Sequence, residues 1–106
     1  MNFKTYYLKE SNKPTCKTCS DRSKRWRLNG KLHREDGPAV ERANGTKEWY
    51  LNGKIHRENG PAIEYANGDK HWYLNDKEYS ETDYKRELIR QGIIKNPSLS
   101  NVMDAI

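Results

Sequence analysis

Residues 49–72 read WYLNGKIHRENGPAIEYANGDKHW, and this stretch is one copy of an internal repeat. Trp26, Trp49 and Trp72 stand 23 residues apart. The other positions that recur at this spacing are Leu28/Leu51/Leu74, His33/His56, Gly37/Gly60, Pro38/Pro61, Ala39/Ala62, Glu41/Glu64, Asn44/Asn67 and Gly45/Gly68. A period of roughly 20 to 50 residues is typical of folds in which each unit buries its apolar side chains against its neighbours. The sequence therefore specifies a repeat architecture.

Turn-forming residues divide each unit into short strands. Asn-Gly pairs suit two-residue hairpin turns because both residues tolerate positive φ, and Pro after Gly fixes the entry to the next strand. The predicted turns are Asn29-Gly30, Asn44-Gly45, Asn52-Gly53, Asn67-Gly68, the weaker Asn75-Asp76, Asp36-Gly37-Pro38 and Asn59-Gly60-Pro61. The sequence thus predicts a mainly β fold, an antiparallel meander of stacked 23-residue β-hairpin repeats over residues 25–79, followed by a C-terminal helical cap.

The alternation of side chains along a strand predicts two faces for this sheet. Trp49 and Leu51 share one face, and Tyr50 points to the other. We expect the Trp and Leu positions to point inward, together with Val40, Ile63, Leu32 and Ile55. The opposite face would carry a solvated stripe that changes from unit to unit, formed by Arg27, Tyr50 and Tyr73.

The regions before and after the repeats are predicted to be caps. Residues 1–24 comprise a capping strand at Tyr6-Tyr7-Leu8 and then a basic loop that contains a CxxC pair. Residues 80–106 are predicted to form helices that cover the last unit, because an open repeat stack needs a cap.

Two helices are predicted in this C-terminal region. The first begins after Ser80 as the N-cap, with Tyr79 and Tyr84 as a hydrophobic staple, and ends before Gly92. The second begins at Asn96 with Pro97 in its first turn. Its apolar positions recur at i, i+3, i+4 and i+7 and are Leu99, Val102, Met103 and Ile106. This apolar face either caps the last hairpin, which is the favoured interpretation, or forms part of the surface that binds another protein.

The net charge of +5 is divided unevenly along the chain. Residues 1–34 carry a net +8, residues 35–83 a net −5 and residues 84–106 a net +2. A nucleic-acid-binding solenoid would spread its basic charge along the repeats, so a polyanion would meet only the N-terminal end. Neither a transmembrane run nor a signal peptide is evident, so we expect no membrane insertion and a cytoplasmic location.

Cys16 and Cys19 form a single CxxC pair. A structural zinc site needs four ligands. His33, His56 and His71 could complete one, but His33 and His56 already belong to the repeat. A metal site and a redox or disulfide pair are the weaker interpretations, and two reduced thiols in a loop is the favoured one. We predict no cofactor and no bound metal, with Cys16 and Cys19 as the weak candidates.

The repeated His-Arg-Glu triplet, at residues 33–35 and 56–58, is the strongest indication of catalysis. A base, a cation and a carboxylate could serve phosphoryl transfer. A catalytic site is normally single, however, whereas this triplet is copied together with its turn residues. We therefore favour a packing role, in which His stacks on a neighbouring Trp while Arg and Glu pair across strands.

The segments NGKIH and GPAIEYANG resemble the MORN repeat, over residues 26–76 of this chain. The variant WYxNGKxHRExGPA is similar to repeats in small proteins of tailed bacteriophages and some bacteria. It departs from the usual MORN unit because Arg57, Glu58 and Asn59 separate His56 from Gly60. The resemblance implies a β-hairpin scaffold that binds proteins, with lipid association in some members, and it implies no reaction.

Three functions from different classes follow. The leading hypothesis is a non-enzymatic protein-binding module, for example a phage factor that acts in the host cytoplasm and inhibits or redirects a host protein. Its predicted binding residues are Lys24, Arg25, Arg27, Tyr50 and Tyr73, and a homo-oligomer would be compatible with it. The alternatives are a nucleic-acid binder that uses residues 1–34 and a small nuclease or hydrolase that uses His-Arg-Glu.

Overall fold

The structure is a computed structural model that describes residues 13–94. The predicted strand at residues 6–8 and the predicted second helix from Asn96 lie outside the described residues. Residues 13–94 form the strands β1 (Thr15–Thr18), β2 (Lys24–Leu28), β3 (Lys31–Leu32), β4 (Val40–Glu41), β5 (Lys47–Glu48), β6 (Tyr50–Leu51), β7 (Lys54–Ile55), β8 (Ile63–Glu64), β9 (Lys70–Leu74) and β10 (Lys77–Tyr79), and the helix α1 (Glu81–Arg90).

All strand pairs are antiparallel, and their order follows the chain. The main sheet has the order β1-β2-β4-β5-β8-β9-β10, with β3 paired to β2, while β6 and β7 pair with each other. The mainly β antiparallel meander with a helix at its C-terminal end is therefore confirmed.

The same backbone bonds recur in successive units. Within a unit, the Trp26 amide donates to the Ala39 carbonyl, and the Trp49 amide donates to the Ala62 carbonyl, both at 2.8 Å. Between units, the Gly53 amide donates to the Leu32 carbonyl at 2.8 Å, and the Asp76 amide donates to the Ile55 carbonyl at 2.9 Å. The 23-residue period of the sequence thus returns as a period of hydrogen bonds.

The Asn turns are of two kinds. At Asn29-Gly30, Asn52-Gly53 and Asn75-Asp76 both residues have positive φ, as the predicted type I′ turn requires. At Asn44-Gly45 and Asn67-Gly68 only the glycine does, with φ 97° in both copies.

The prediction of a two-residue turn is wrong at this second kind of turn. The Gly45 amide donates to the Arg42 carbonyl, which closes a type I turn, and the left-handed glycine follows as a bulge. The Asn44 side-chain oxygen accepts a hydrogen bond from the Thr46 amide at 2.9 Å. This Asx turn occupies the Asn side chain in the three-residue loop.

The predicted division between an inward and an outward face is wrong for four aliphatic residues. Val40 lies directly opposite Glu48, and Ile55 lies directly opposite Tyr50, so both share a face with the tyrosine and not with Trp49. The equivalent pairs Ile63–Glu48 and Leu32–Arg27 place the other two residues in the same way. We call the side with Arg27, Tyr50 and Tyr73 the tyrosine face and the side with Trp26, Trp49 and Trp72 the groove face.

The error has a physical cause. The inward assignment assumed that one face is covered by a second layer, as in a sandwich. In residues 13–94 the strands form single sheets and the helix covers only the end of the repeats, so each face buries its own side chains. Val40 is buried on the tyrosine face, whereas Trp49 is only half-buried on the groove face.

The predicted loop before the repeats contains a strand. Residues 15–18 form β1 and pair with β2, so that Cys16 lies opposite Trp26. The expectation of a loop throughout this region is therefore wrong. Period-2 patterning could not reveal β1 because all four of its residues are exposed.

Helix α1 closes the last unit as predicted. The Ser80 hydroxyl accepts a hydrogen bond from the Asp83 amide at 3.1 Å, which confirms the N-cap. Gly92 has φ 75°, and the amides of Gly92 and Ile93 donate back to Ile89 and Leu88, as in a Schellman C-cap. The buried side chains of this end are Leu74, Tyr84 and Leu88, with Trp72, Tyr79 and Ile93 packed against them.

Candidate functional site

Both histidines of the repeated triplet hold neighbouring units together. The Asn52 amide donates to Nδ1 of His33 at 2.9 Å, and the Asn75 amide donates to Nδ1 of His56 at 3.0 Å. The accepting nitrogen carries no hydrogen, so the network assigns the Nε2–H tautomer to each ring. Nε2 of His56 then donates to Glu58 at 2.9 Å, and Nε2 of His33 donates to Glu35 at 3.3 Å.

Both arginines of the triplet lie on tryptophan rings. The guanidinium carbon is 3.9 Å from the Trp26 ring centre for Arg34 and 3.8 Å from the Trp49 ring centre for Arg57. Such cation–π contacts contribute about 0.5–1 kcal/mol at exposed sites and more where water is excluded. The prediction that His stacks on Trp is therefore wrong, because the arginine occupies that ring face.

The same guanidinium groups also bind backbone and carboxylate oxygens. Arg57 donates to the Pro61 carbonyl and to Glu64, each at 3.0 Å, and to the Asn59 side chain at 3.0 Å. Arg34 repeats these contacts with Pro38, Glu41 and Asp36. The predicted Arg–Glu pair across strands forms, but its glutamate is Glu41 or Glu64 and not the glutamate of the triplet.

These contacts limit the chemistry that the triplet can perform. A general base needs a nitrogen within reach of a substrate proton. His33 and His56 are 6% and 7% exposed, and each uses both ring nitrogens in hydrogen bonds within the protein. The two copies are also nearly identical, so neither is distinguished as a single reactive centre.

The tyrosine face carries side chains whose chemistry differs between units. Glu48 is 8% exposed, and its carboxylate accepts hydrogen bonds from Arg42 at 2.7 Å and from the Tyr50 hydroxyl at 3.1 Å. Burial, followed by the nearby Glu48 charge, raises the pKa of Tyr50 to about 12. Tyr50 is half-buried, so the prediction of a solvated tyrosine at this position is too simple.

One pair of positions on this face shows the variation directly. The 23-residue period makes three pairs of residues equivalent, and the two members of each pair are in contact. The pairs are 19 with 25, 42 with 48, and 65 with 71. The contacts are an Arg25 donation to the Cys19 sulfur at 3.0 Å, the Arg42–Glu48 ion pair, and an edge-to-face contact of Tyr65 with His71. The backbone is repeated, whereas the surface that it presents is not.

The structure brings four of the five predicted binding residues onto one face. Arg25, Arg27, Tyr50 and Tyr73 lie on the tyrosine face, as their cross-strand partners show. The Tyr73 hydroxyl donates to Glu78 at 3.4 Å.

Lys24 lies on the opposite face. It is exposed and stands across from Glu41, whose carboxylate binds Arg34 on the groove face.

The CxxC pair is not assembled into a metal centre within residues 13–94. No cluster of three or more His, Cys, Asp or Glu side chains suitable for a metal ion occurs there. Cys16 is exposed and Cys19 is half-buried. The hydrogen bond from Arg25 is the main cause that lowers the pKa of the Cys19 thiol below its usual range.

Sequence reasoning missed a groove on the groove face, which we call the Trp49 groove. It encloses about 690 Å³ between the loop at residues 34–37 and the loop at residues 56–59, with Trp49 and Leu51 between them and Ile93 at its edge. A second groove, of about 500 Å³, lies over Trp26 between Lys13-Pro14 and residues 34–36. The 23-residue spacing of the two loops was the available signal, but the predicted inward placement of Trp49 left no expectation of an open groove beside it.

Comparison of the chain with protein-family models, with curated proteins and with solved structures found no match. Among the described residues, the structure has no helix with both the length and the apolar character needed to cross a membrane.

Proposed function

We propose that this protein is a non-enzymatic, protein-binding repeat module. The observation that carries the proposal is the structural role of the two His-Arg-Glu triplets. Each histidine and arginine of the two copies is committed to contacts within or between units. The repeated residues thus account for the scaffold, and the residues that vary between units are left to determine recognition.

The tyrosine face supplies side chains suited to recognition. Arg and Tyr are favoured anchors at protein interfaces because they combine a large contact area with directed hydrogen bonds. Arg27 is exposed at one end of this face, and the half-buried Tyr50 and Tyr73 are held in place by Glu48 and Glu78. A binding surface with anchored side chains loses less conformational entropy when a partner binds.

The resemblance to repeats of bacteriophage proteins favours a factor that binds a host protein in the host cytoplasm and inhibits or redirects it. Nucleic-acid binding through the basic residues 1–34 is the second candidate. The observation that favours it is the net +8 of that segment.

Charge reversal on the two faces of one hairpin tests the proposal. Arg27→Glu changes the tyrosine face, and Lys31→Glu makes the same change of charge on the groove face, at another exposed residue of the β2–β3 hairpin. Proteins captured from a bacterial lysate by the intact chain and by both variants would be identified by mass spectrometry. We expect Arg27→Glu to lose a partner that Lys31→Glu retains.

Parallel titrations address the alternatives. A random-sequence oligonucleotide would be titrated at 50 and 200 mM salt, since binding through phosphates weakens steeply with salt. Equal capture by both variants, or steeply salt-dependent oligonucleotide binding without any specific protein partner, would contradict the protein-binding proposal. Turnover of a nucleic acid that is lost in His56→Ala would favour the hydrolase.

A further inference from the structure

The Trp49 groove is the same site, one unit earlier, as the site that holds α1. Its lining includes Arg34, Gly37, Trp49, Leu51 and His56. The residues 23 positions later are Arg57, Gly60, Trp72, Leu74 and Tyr79. All five of these later residues belong to the site of α1, either by hydrogen bonds with Tyr84 or by packing in the cluster around Leu88.

Helix α1 shows what this site binds. The Tyr84 hydroxyl donates to the Arg57 carbonyl and accepts a hydrogen bond from the Gly60 amide at 3.2 Å. Leu88, one helical turn later, is 3% exposed and packs with Leu74. The site thus takes an aromatic ring with a hydroxyl and an aliphatic side chain at i and i+4 of a helix.

The equivalent backbone groups of the Trp49 groove are available. Within residues 13–94, no hydrogen bond reaches the Arg34 carbonyl or leaves the Gly37 amide. Ile93 packs against the α1 cluster and also lines this groove, so the two sites are continuous.

We propose that the Trp49 groove binds an amphipathic helix of a partner protein that presents a tyrosine and, four residues later, a leucine. The tyrosine hydroxyl donates to the Arg34 carbonyl and accepts from the Gly37 amide, and the leucine packs on Leu51. Residues 95–106 of the chain contain no tyrosine and cannot supply that hydroxyl. This surface lies opposite the tyrosine face, so the inference does not rest on the binding proposed there.

Several lining side chains differ between the two sites, and the difference at residue 57 is the one that affects the tryptophan. Arg57 stacks on Trp49, whereas the equivalent residue 23 positions later is Ser80, which caps α1. The Arg57 guanidinium, which lines the Trp49 groove, therefore covers a face of the Trp49 ring, and no arginine stands at the equivalent position for Trp72. Arg57→Ser gives this groove the serine of the α1 site and should tighten the binding of an α1-like helix.

The probe is a peptide of residues 79–94 that is held helical by a lactam between Glu81 and Lys85, an exposed i,i+4 ion pair in α1. It would be titrated into the full-length, ¹⁵N-labelled protein. The Gly37 amide resonance reports the new hydrogen bond, and the Gly60 amide, already bonded to Tyr84, serves as the internal reference. The control peptide carries Tyr84→Phe.

We expect a saturable shift of the Gly37 amide toward lower field, with the Gly60 amide unchanged. The control peptide should bind roughly tenfold more weakly, as loss of a hydrogen-bonded hydroxyl implies. A shift confined to Gly60 would mean exchange with α1 and would overturn the proposal, as would equal affinity of the two peptides. Binding that requires removal of residues 95–106 would assign the groove to the chain's own C-terminal segment and would also overturn it. The wild-type titration decides by itself if Arg57→Ser does not fold.

Discussion

At the scale of single residues, Tyr50 shows how a repeated position acquires its own chemistry. Tyr50 and Tyr73 are equivalent by the period, and the structure pairs each hydroxyl with a carboxylate. The carboxylates differ in setting, because Glu48 is buried beside Arg42 and Glu78 is exposed. Burial raises the pKa of both phenols, and it raises that of Tyr50 to about 12.

This pKa predicts a stability loss in alkali. The unfolded phenol ionises near pH 10, whereas folded Tyr50 keeps its proton up to about pH 12. Between these values the unfolded state binds fewer protons, so the contribution of Tyr50 is complete below pH 10 and declines as the pH rises toward 12. Urea unfolding of the wild type and of Tyr50→Phe at pH 8, 9.5, 10.5 and 11 should show a steeper fall for the wild type above pH 10. Parallel curves would mean that Tyr50 ionises alike in both states.

At the scale of elements, the contact of α1 with the preceding unit depends on one hydroxyl. Tyr84 is 2% exposed and reaches across Trp72 to the loop at residues 57–60. Desolvation is the main cause that raises the pKa of this phenol above its usual value. The helix is thereby attached to unit two as well as to unit three.

Tyr84→Phe should therefore destabilise the protein by about 1–3 kcal/mol, because it leaves the Gly60 amide without its acceptor in a site that the helix covers. Tyr79→Phe is the matched control, since the Tyr79 hydroxyl makes no hydrogen bond within residues 13–94 while its ring packs on the same cluster. Free energies of unfolding from urea titrations at pH 7 would compare the two. A loss as large in Tyr79→Phe would show that ring packing, and not the hydroxyl, determines the effect.

The features of these elements that could be predicted from the sequence are those decided by a few adjacent residues. The helix is predicted by Ser80, Tyr84 and Gly92, because helix caps depend on residues within one turn of the helix end. Asn52-Gly53 likewise predicts its turn, because the turn depends on these two residues. The face of Val40 could not be predicted in this way, because period 2 fixes which residues share a face but not which face is covered.

The same distinction between predictable and unpredictable features applies to the candidate site. The packing role of His-Arg-Glu followed from its duplication, whereas the partner of each side chain did not. Whether His or Arg covers Trp49 depends on the path of the loop at residues 57–61, where the Pro61 carbonyl and Glu64 fix the guanidinium. Such contacts join residues up to seven positions apart through a turn, beyond the reach of strand periodicity.

At the scale of the whole molecule, the bonds between units connect only neighbouring units within residues 13–94. His33 joins the first unit to Asn52 of the second, and His56 joins the second unit to Asn75 of the third. In residues 13–94 the main sheet passes through the units in chain order. In such an array the free energy of unfolding is approximately a sum of terms for single units and for contacts between nearest neighbours. A substitution at one junction should therefore unfold the units on one side of that junction and leave the others folded.

Histidine substitutions at the two junctions test this view of the molecule. In His56→Gln the amide lies near the position of Nε2 and leaves the Asn75 amide unpaired, so we expect faster hydrogen exchange across residues 70–94 while residues 24–41 stay protected. His33→Gln should open residues 15–33 and spare residues 81–90.

The matched controls are His33→Asn and His56→Asn, whose shorter side chain keeps an acceptor near the position of Nδ1 and should open the same segments less. Hydrogen exchange measured by mass spectrometry at pH 7 distinguishes the outcomes. Uniform loss of protection from Thr15 to Arg90 in either Gln variant would show that the units unfold as one cooperative body, and equal effects of Asn and Gln would show that the Nδ1 bond does not hold the junction.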